Sequence, residues 1–85
     1  MQKLMKDQTF PIDAIYVPAK RRTTLDPEKA QAIAQSILEE GQRTPILVRP
    51  DGERYVLVEG LHRLEACKLL GETTIVGLLV QARRT

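Results

Sequence analysis

Aromatic residues are scarce in this chain. Phe10, Tyr16 and Tyr55 make up 4% of 85 residues, and there is no tryptophan. A surface that holds single-stranded nucleic acid stacks bases on exposed rings, so this scarcity argues against a stacking platform. Cysteine is nearly absent too. Cys67 stands alone, which excludes an intramolecular disulfide and a cysteine-built zinc cluster and fits a reducing compartment. No apolar run reaches the roughly 20 residues that span a bilayer, and the opening MQKLMKDQTF lacks the apolar stretch of a signal peptide. The expectation is a soluble cytoplasmic protein with no membrane partner. Net charge is small, +2 with the histidine neutral, well short of a strong footprint for duplex DNA. Cations cluster in two places, Lys20, Arg21 and Arg22 in AKRR and Arg83 and Arg84 near the end. The ordinary reading of both is a solvated loop and a frayed terminus.

What is present is enough for one folded unit. Hydrophobic residues are 42% of the chain, and the length suits a single domain over residues 1–85. QTFPIDAIY reads as a short extended segment with Phe10, Ile12 and Ile15 as apolar contacts, and Pro11 favours an edge or a kink. VPAKRRTTL reads as a basic loop. A helix then starts with Asp26 as N-cap, Pro27 at the first position and Glu28 at the positive end of the dipole. Ala30, Ile33, Ala34, Ile37 and Leu38 recur at helical spacing and predict one buried face, and Gly41 closes the helix. TPILVRP is a buried strand, Asp51-Gly52 signals a hairpin and RYVLVE is the returning strand. Gly60 breaks it. A second helix over 61–70 offers Leu61, Leu64, Ala66, Cys67, Leu69 and Leu70 to the core and ends at Gly71. TTIVGLLVQ is the last strand, with Gly77 marking a bulge.

The residues that carry chemistry stand at the second helix start, in EGLHR. Glycine after a strand lets the backbone turn and approach a ligand. The N–H groups of Leu61, His62 and Arg63 are the unbonded donors of a helix N-terminus and suit a phosphate. Arg63 adds a fork that grips an oxyanion. A bland reading stands beside this one: His62 covers an apolar edge, and Arg63 pairs with Glu59 or Glu65. The motif alone does not choose between them.

From about Phe10 to Leu79 the chain resembles the ParB/sulfiredoxin superfamily. EEGQRTPILVRP is similar to the Gly-x-x-Gln-Pro segment of the ParB N-terminal domain, with Gly41 and Pro45 matching and Thr44 at the glutamine position. GLHRLEACKLLG is similar to the Gly-Glu-Arg-Arg segment and its helix, with Gly60, Arg63, Ala66, Lys68 and Gly71 matching. GLHR also matches three of four positions of the sulfiredoxin signature Gly-Cys-His-Arg, but Leu61 replaces the cysteine and cannot serve as a thiolate. Cys67, six residues on, reads as a small buried hydrophobe. DPEKAQAIAQS resembles the first sulfiredoxin helix. Lys29 and Ser36 fall where that family contacts a nucleotide, and Ala32 replaces a hydroxyl residue. A third branch phosphorylates free serine through an acidic-Gly-x-His-Arg motif, which EGLHR fits with Glu59. The base that such a kinase needs before the first helix is missing from AKRRTT.

The resemblance implies a small α/β fold, a mixed β-sheet with two main helices. It also implies a nucleoside triphosphate, CTP or ATP, carried with Mg2+ and held at Gly60, Leu61, His62 and Arg63. Lys29, Ser36 and Thr44 would assist, and Glu59 would serve as a metal ligand or anchor for His62. Lys20, Arg21 and Arg22 would close over phosphates or touch DNA. Slow hydrolysis is compatible with this, although no residue presents itself as a strong general base. The competing expectations are a DNA- or protein-interaction module without catalysis and a serine-kinase-like phosphotransferase. With no recognition helix in the sequence, specific DNA readout is disfavoured.

Overall fold

The computed structural model describes residues 7–42 and 44–81; Arg83 and Arg84 lie outside them. Five strands form one sheet: β1 Gln8–Pro11, β2 Ile15–Tyr16, β3 Ile46–Asp51, β4 Arg54–Glu59 and β5 Thr74–Leu79. Three helices join them: α1 Ala19–Arg22, α2 Pro27–Glu40 and α3 Leu61–Leu69. The strand order is β1-β5-β3-β4-β2. The β1–β5 and β3–β4 pairs are antiparallel, and β5–β3 and β4–β2 are parallel. This is the mixed sheet with two main helices that the sequence implied, plus one short extra helix.

QTFPIDAIY is two strands rather than one, and they lie at opposite edges of the sheet. Pro11 has no N–H to continue the ladder and holds φ near −70°. A single 3-10 turn, Ile12–Ala14, follows. Five flat strands would set their outer members about 19 Å apart, whereas the four steps from Pro11 to Ile15 reach at most about 14 Å. The sheet must therefore curl to let one short turn join its edges. Phe10 at one edge accordingly meets Tyr55 of β4 edge-to-face, with ring centroids 4.9 Å apart.

The capping signals hold. Asp26 Oδ1 accepts the N–H of Glu28 at 3.1 Å. The C-terminus of α3 closes as a Schellman motif, with Glu72 N–H donating to the Cys67 carbonyl and Gly71 N–H to that of Lys68. The hairpin closes on Asp51 and Arg54, so its two central residues are Gly52 and Glu53. Gly52 alone has positive φ, the pattern of a type II′ turn.

The core fills the space between the sheet and α3. Ile46, Val48, Leu57, Leu64 and Ile75 are its largest fully buried side chains, and α2 packs alongside α3. Three expectations fail here. Leu38 and Leu69 are 69% and 58% exposed, because helical spacing gives the period of a face and not its width. VPAKRRTTL is not simply a loop, since Ala19–Arg22 turn into α1. Gly77 makes no bulge: β5 runs in continuous register with β1 and β3, and the register shift lies between Leu47 and Val48. Gly77 is a point of close approach instead. A Cβ there would stand 2.9 Å from Ile46 Cγ1 and 3.2 Å from Phe10 Cδ2.

Gly77→Ala should therefore overpack the core and destabilise by about 1–3 kcal/mol. Combined with Ile46→Ala, the loss in urea unfolding should fall short of the sum of the two single changes, because the second removes the nearest of the atoms that the first one strikes.

Candidate functional site

The turn into α3 is fixed by steric exclusion. β4 ends at Glu59, and Gly60 takes φ +113° before the helix begins. A Cβ at Gly60 would lie 2.6 Å from Ile46 Cγ2, so only glycine allows this backbone to pass so close to β3. The Gly60 carbonyl accepts the N–H of Leu64 at 2.9 Å, which completes the first turn. The N–H groups of Leu61, His62 and Arg63 have no carbonyl a turn earlier to bond.

A groove runs past this turn. One part, of about 420 Å³, is lined by Thr44, Pro45, Leu47, Glu59, Gly60, Arg63 and Leu78. A second part, of about 200 Å³, is bordered by Ser36, Glu40, Gly41, Thr44 and Arg63, with Ile33 and Ile37 on its apolar side. Thr44 and Arg63 belong to both, so the two parts form one continuous groove. It brings together five residues singled out in the sequence: Gly60, Arg63, Thr44, Ser36 and Glu59. Arg63 is half-buried, and among the described residues it makes no ion pair. Glu65 bonds Lys68 instead, at 3.4 Å. The pairing of Arg63 with Glu59 or Glu65 is therefore not realised.

The other expected residues lie elsewhere. Leu61 is 8% exposed and faces a separate cleft with Arg22 and Lys68. Lys29 stands exposed on the first turn of α2 and lines neither part of the groove. Lys20 and Arg21 are exposed on α1. Arg22 Nε donates to the Val17 carbonyl at 2.9 Å, which tethers the segment that a mobile clamp would need to be free. His62 holds the two helix starts together: the Asp26 N–H donates to His62 Nε2 at 3.0 Å. That nitrogen is an acceptor here, so the ring proton sits on Nδ1.

One residue that supports the site without lining it escaped the sequence reading. Gln42 presents its side-chain amide to the backbone of Val76 as a strand would. Its Nε2 donates to the Val76 carbonyl at 2.9 Å, and its Oε1 accepts the Val76 N–H at 3.0 Å. Nε2 also reaches the Thr44 carbonyl at 3.3 Å. This clamp fixes the α2–β3 connection that carries Thr44 and Pro45. A glutamine after a helix-ending glycine looks in sequence like any solvated polar residue.

Cys67 is a buried core residue, 3% exposed. Burial first, and the charge of Glu72 second, push its thiol up, while the Arg63 guanidinium opposes them. A group whose folded value is raised stabilises fully below the unfolded value, and that contribution is lost as pH climbs through the folded one. Urea midpoints of the wild type should therefore fall relative to Cys67→Ala as pH rises through and beyond the ordinary thiol range. His62→Ala should speed hydrogen exchange at the Asp26 amide and destabilise by about 0.5–1.5 kcal/mol. His62→Gln, which can keep an acceptor near that position, should restore part of the protection.

The fold and the sequence have known relatives. The family model of the ParB N-terminal domain matches residues 2–85. A probable chromosome 1-partitioning protein ParB of Deinococcus radiodurans is 39% identical over 69 residues, 80% of this chain and 24% of that protein. The chain thus spans about a quarter of the length of the curated relatives it matches. Sulfiredoxin from Arabidopsis thaliana superposes with a TM-score of 0.80 at 28% identity, covering 91% of this chain and 86% of that one. The C-terminally truncated chromosome-partitioning protein ParB of Caulobacter crescentus, complexed with CTP-gamma-S, does so with a TM-score of 0.78 at 28% identity, covering 92% and 46%. With nearly its whole length matched by the family model and its mixed sheet shared with these structures, the chain belongs to the ParB N-terminal domain family.

Proposed function

We propose that this chain binds a nucleoside triphosphate, CTP or ATP, in the groove beside Gly60, with the phosphates at the start of α3. The observation that carries this reading is Arg63. Its guanidinium is half-buried, has no ion-pair partner among the described residues and lines the groove beside the Gly60 turn. A half-buried cation that makes no ion pair is incompletely satisfied, even with Glu40 and Glu59 elsewhere on the groove wall, and an arriving phosphate would supply the partner. The free N–H groups of the helix start add donors and the positive end of the dipole. Ser36 and Thr44 contribute hydroxyls along the groove, and Pro45, Leu47 and Leu78 offer an apolar wall for the base. The relative solved with CTP-gamma-S supports a nucleotide on this fold.

Magnesium would enter with the nucleotide. Among the described residues no cluster of three His, Cys, Asp or Glu is placed to hold a metal. Mg2+ is commonly held by one or two carboxylates together with substrate phosphates and water, and Glu59, exposed on the groove rim, fits that part. His62 would act by holding the α2 and α3 starts together, with Nδ1–H left to donate. Binding without fast turnover is the better reading, because Leu61 at the helix start is apolar and α1 carries no acid to serve as a base.

Calorimetric titration with CTP, ATP, GTP and ADP in the presence of magnesium tests the proposal. One triphosphate should bind, and Arg63→Ala should weaken it about 10- to 100-fold, the loss of a charge-assisted contact. Arg63→Lys should recover only part of this, since a point charge lacks the fork. If no nucleotide binds the folded wild type, the proposal fails and the domain is an interaction module. A phosphorylated serine product would instead identify a phosphotransferase.

A further inference from the structure

The start of α3 has a second side. Leu61 turns away from the groove into a separate cleft of about 370 Å³ between β2, α1 and α3. Its floor is apolar, with Ile15, Val17, Leu25 and Leu61, and its rim carries Tyr16, Arg22, Glu65 and Lys68. Ile15, Val17 and Leu61 are otherwise core residues, 9%, 7% and 8% exposed.

Charge on the cleft rim leans positive, with Arg22 and Lys68 against Glu65. Arg22 is fixed by the bond from its Nε to the Val17 carbonyl, which leaves its two terminal nitrogens free to grip a carboxylate. It makes no ion pair among the described residues. Lys20 and Arg21 precede it in the same short helix, exposed and likewise unpaired among those residues. Glu65, the one acid of the rim, is already bonded to Lys68. Beside them, Arg54 stacks on Tyr16 at 4.2 Å from the ring centroid, and Arg22 lies 5.7 Å from the same centroid. Asp51 partners Arg54.

We propose that this cleft docks an acidic segment of a partner protein, seating one aliphatic side chain on the apolar floor and its flanking carboxylates against Arg22, Lys68 and α1. An isolated phosphate or a small carboxylate would leave the floor unused. Single-stranded nucleic acid would need a free ring, and the Tyr16 face is taken by arginine. An apolar side chain between acids satisfies both halves of the site. This surface is distinct from the groove that holds Arg63, and the proposal does not depend on nucleotide binding.

The test uses the N-acetylated, C-amidated peptide Glu-Glu-Leu-Glu-Glu, titrated into the isotope-labelled chain with amide shifts as the readout. Saturable shifts are expected at Tyr16, Val17, Leu25 and Leu61. Replacing the four acids by glutamine, or the leucine by glycine, should each weaken binding at least about tenfold. Lys68→Glu and the pair Lys20→Glu and Arg21→Glu change exposed residues, and each should weaken it to a similar degree. The affinity should also fall as salt is raised from about 50 to about 500 mM, because the pairing charges are exposed. Absence of saturable shifts, equal binding of the glutamine peptide, or shifts centred on Gly60 and Arg63 would each overturn the proposal. So would shifts at the cleft that follow protein concentration without peptide, since they would name a second copy as the occupant.

Discussion

Ile46 is the side chain on which the rest of the structure depends. It has no solvent exposure, and it is pressed from two sides by positions that cannot carry a Cβ, Gly60 and Gly77. Gly60 is the turn from β4 into α3, and Gly77 is the middle of β5. One side chain at the start of β3 thereby sets how close the helix start and the last strand can come. Interiors are packed densely enough that a single added methyl at either glycine has nowhere to go. The location of the α3 N-terminus, and with it the unbonded amides that face a ligand, follows from this contact.

Polar bonds then hold the surrounding parts to that frame. The Asp26 N–H bond to His62 draws the start of α2 to the start of α3. The Gln42 amide ties the α2–β3 connection to β5 by imitating a strand neighbour. Neither bond is deeply buried, so each is worth little to global stability. Their effect is geometric, because they decide which residues face the groove. His62 spends its Nε2 on the scaffold, and Thr44 is held at the junction of the two parts of the groove.

Successive residues of a helix are turned by about 100°, and the start of α3 uses this to face two environments. Arg63 goes to the groove and Leu61, two residues earlier, to the cleft under α1. The basic residues of the chain do not form one field. Arg63 serves one side, while Arg22, with Lys20 and Arg21 before it, serves the other. That separation lets a domain of small net charge carry two sites, each with an arginine that makes no ion pair among the described residues.

Much of this was determined by the sequence itself. Asp26, Pro27 and Gly41 bound α2 because capping and proline chemistry act over a few residues. The hairpin, the break at Gly60 and the resemblance of GLHR and its helix to known families were equally local. Tertiary structure decided the rest, because it joins residues far apart in the chain. Pro11 marked a kink, but that β1 and β2 end at opposite edges depends on the curl of five strands. Gly77 looked like a bulge until Ile46, 31 residues earlier, was seen beside it. Leu38 and Leu69 kept the helical period yet fell outside the buried width of their helices. Arg63 could have paired with a neighbouring acid. Among the described residues it makes no ion pair, because the fold gave Glu65 to Lys68 and turned Arg63 into the groove.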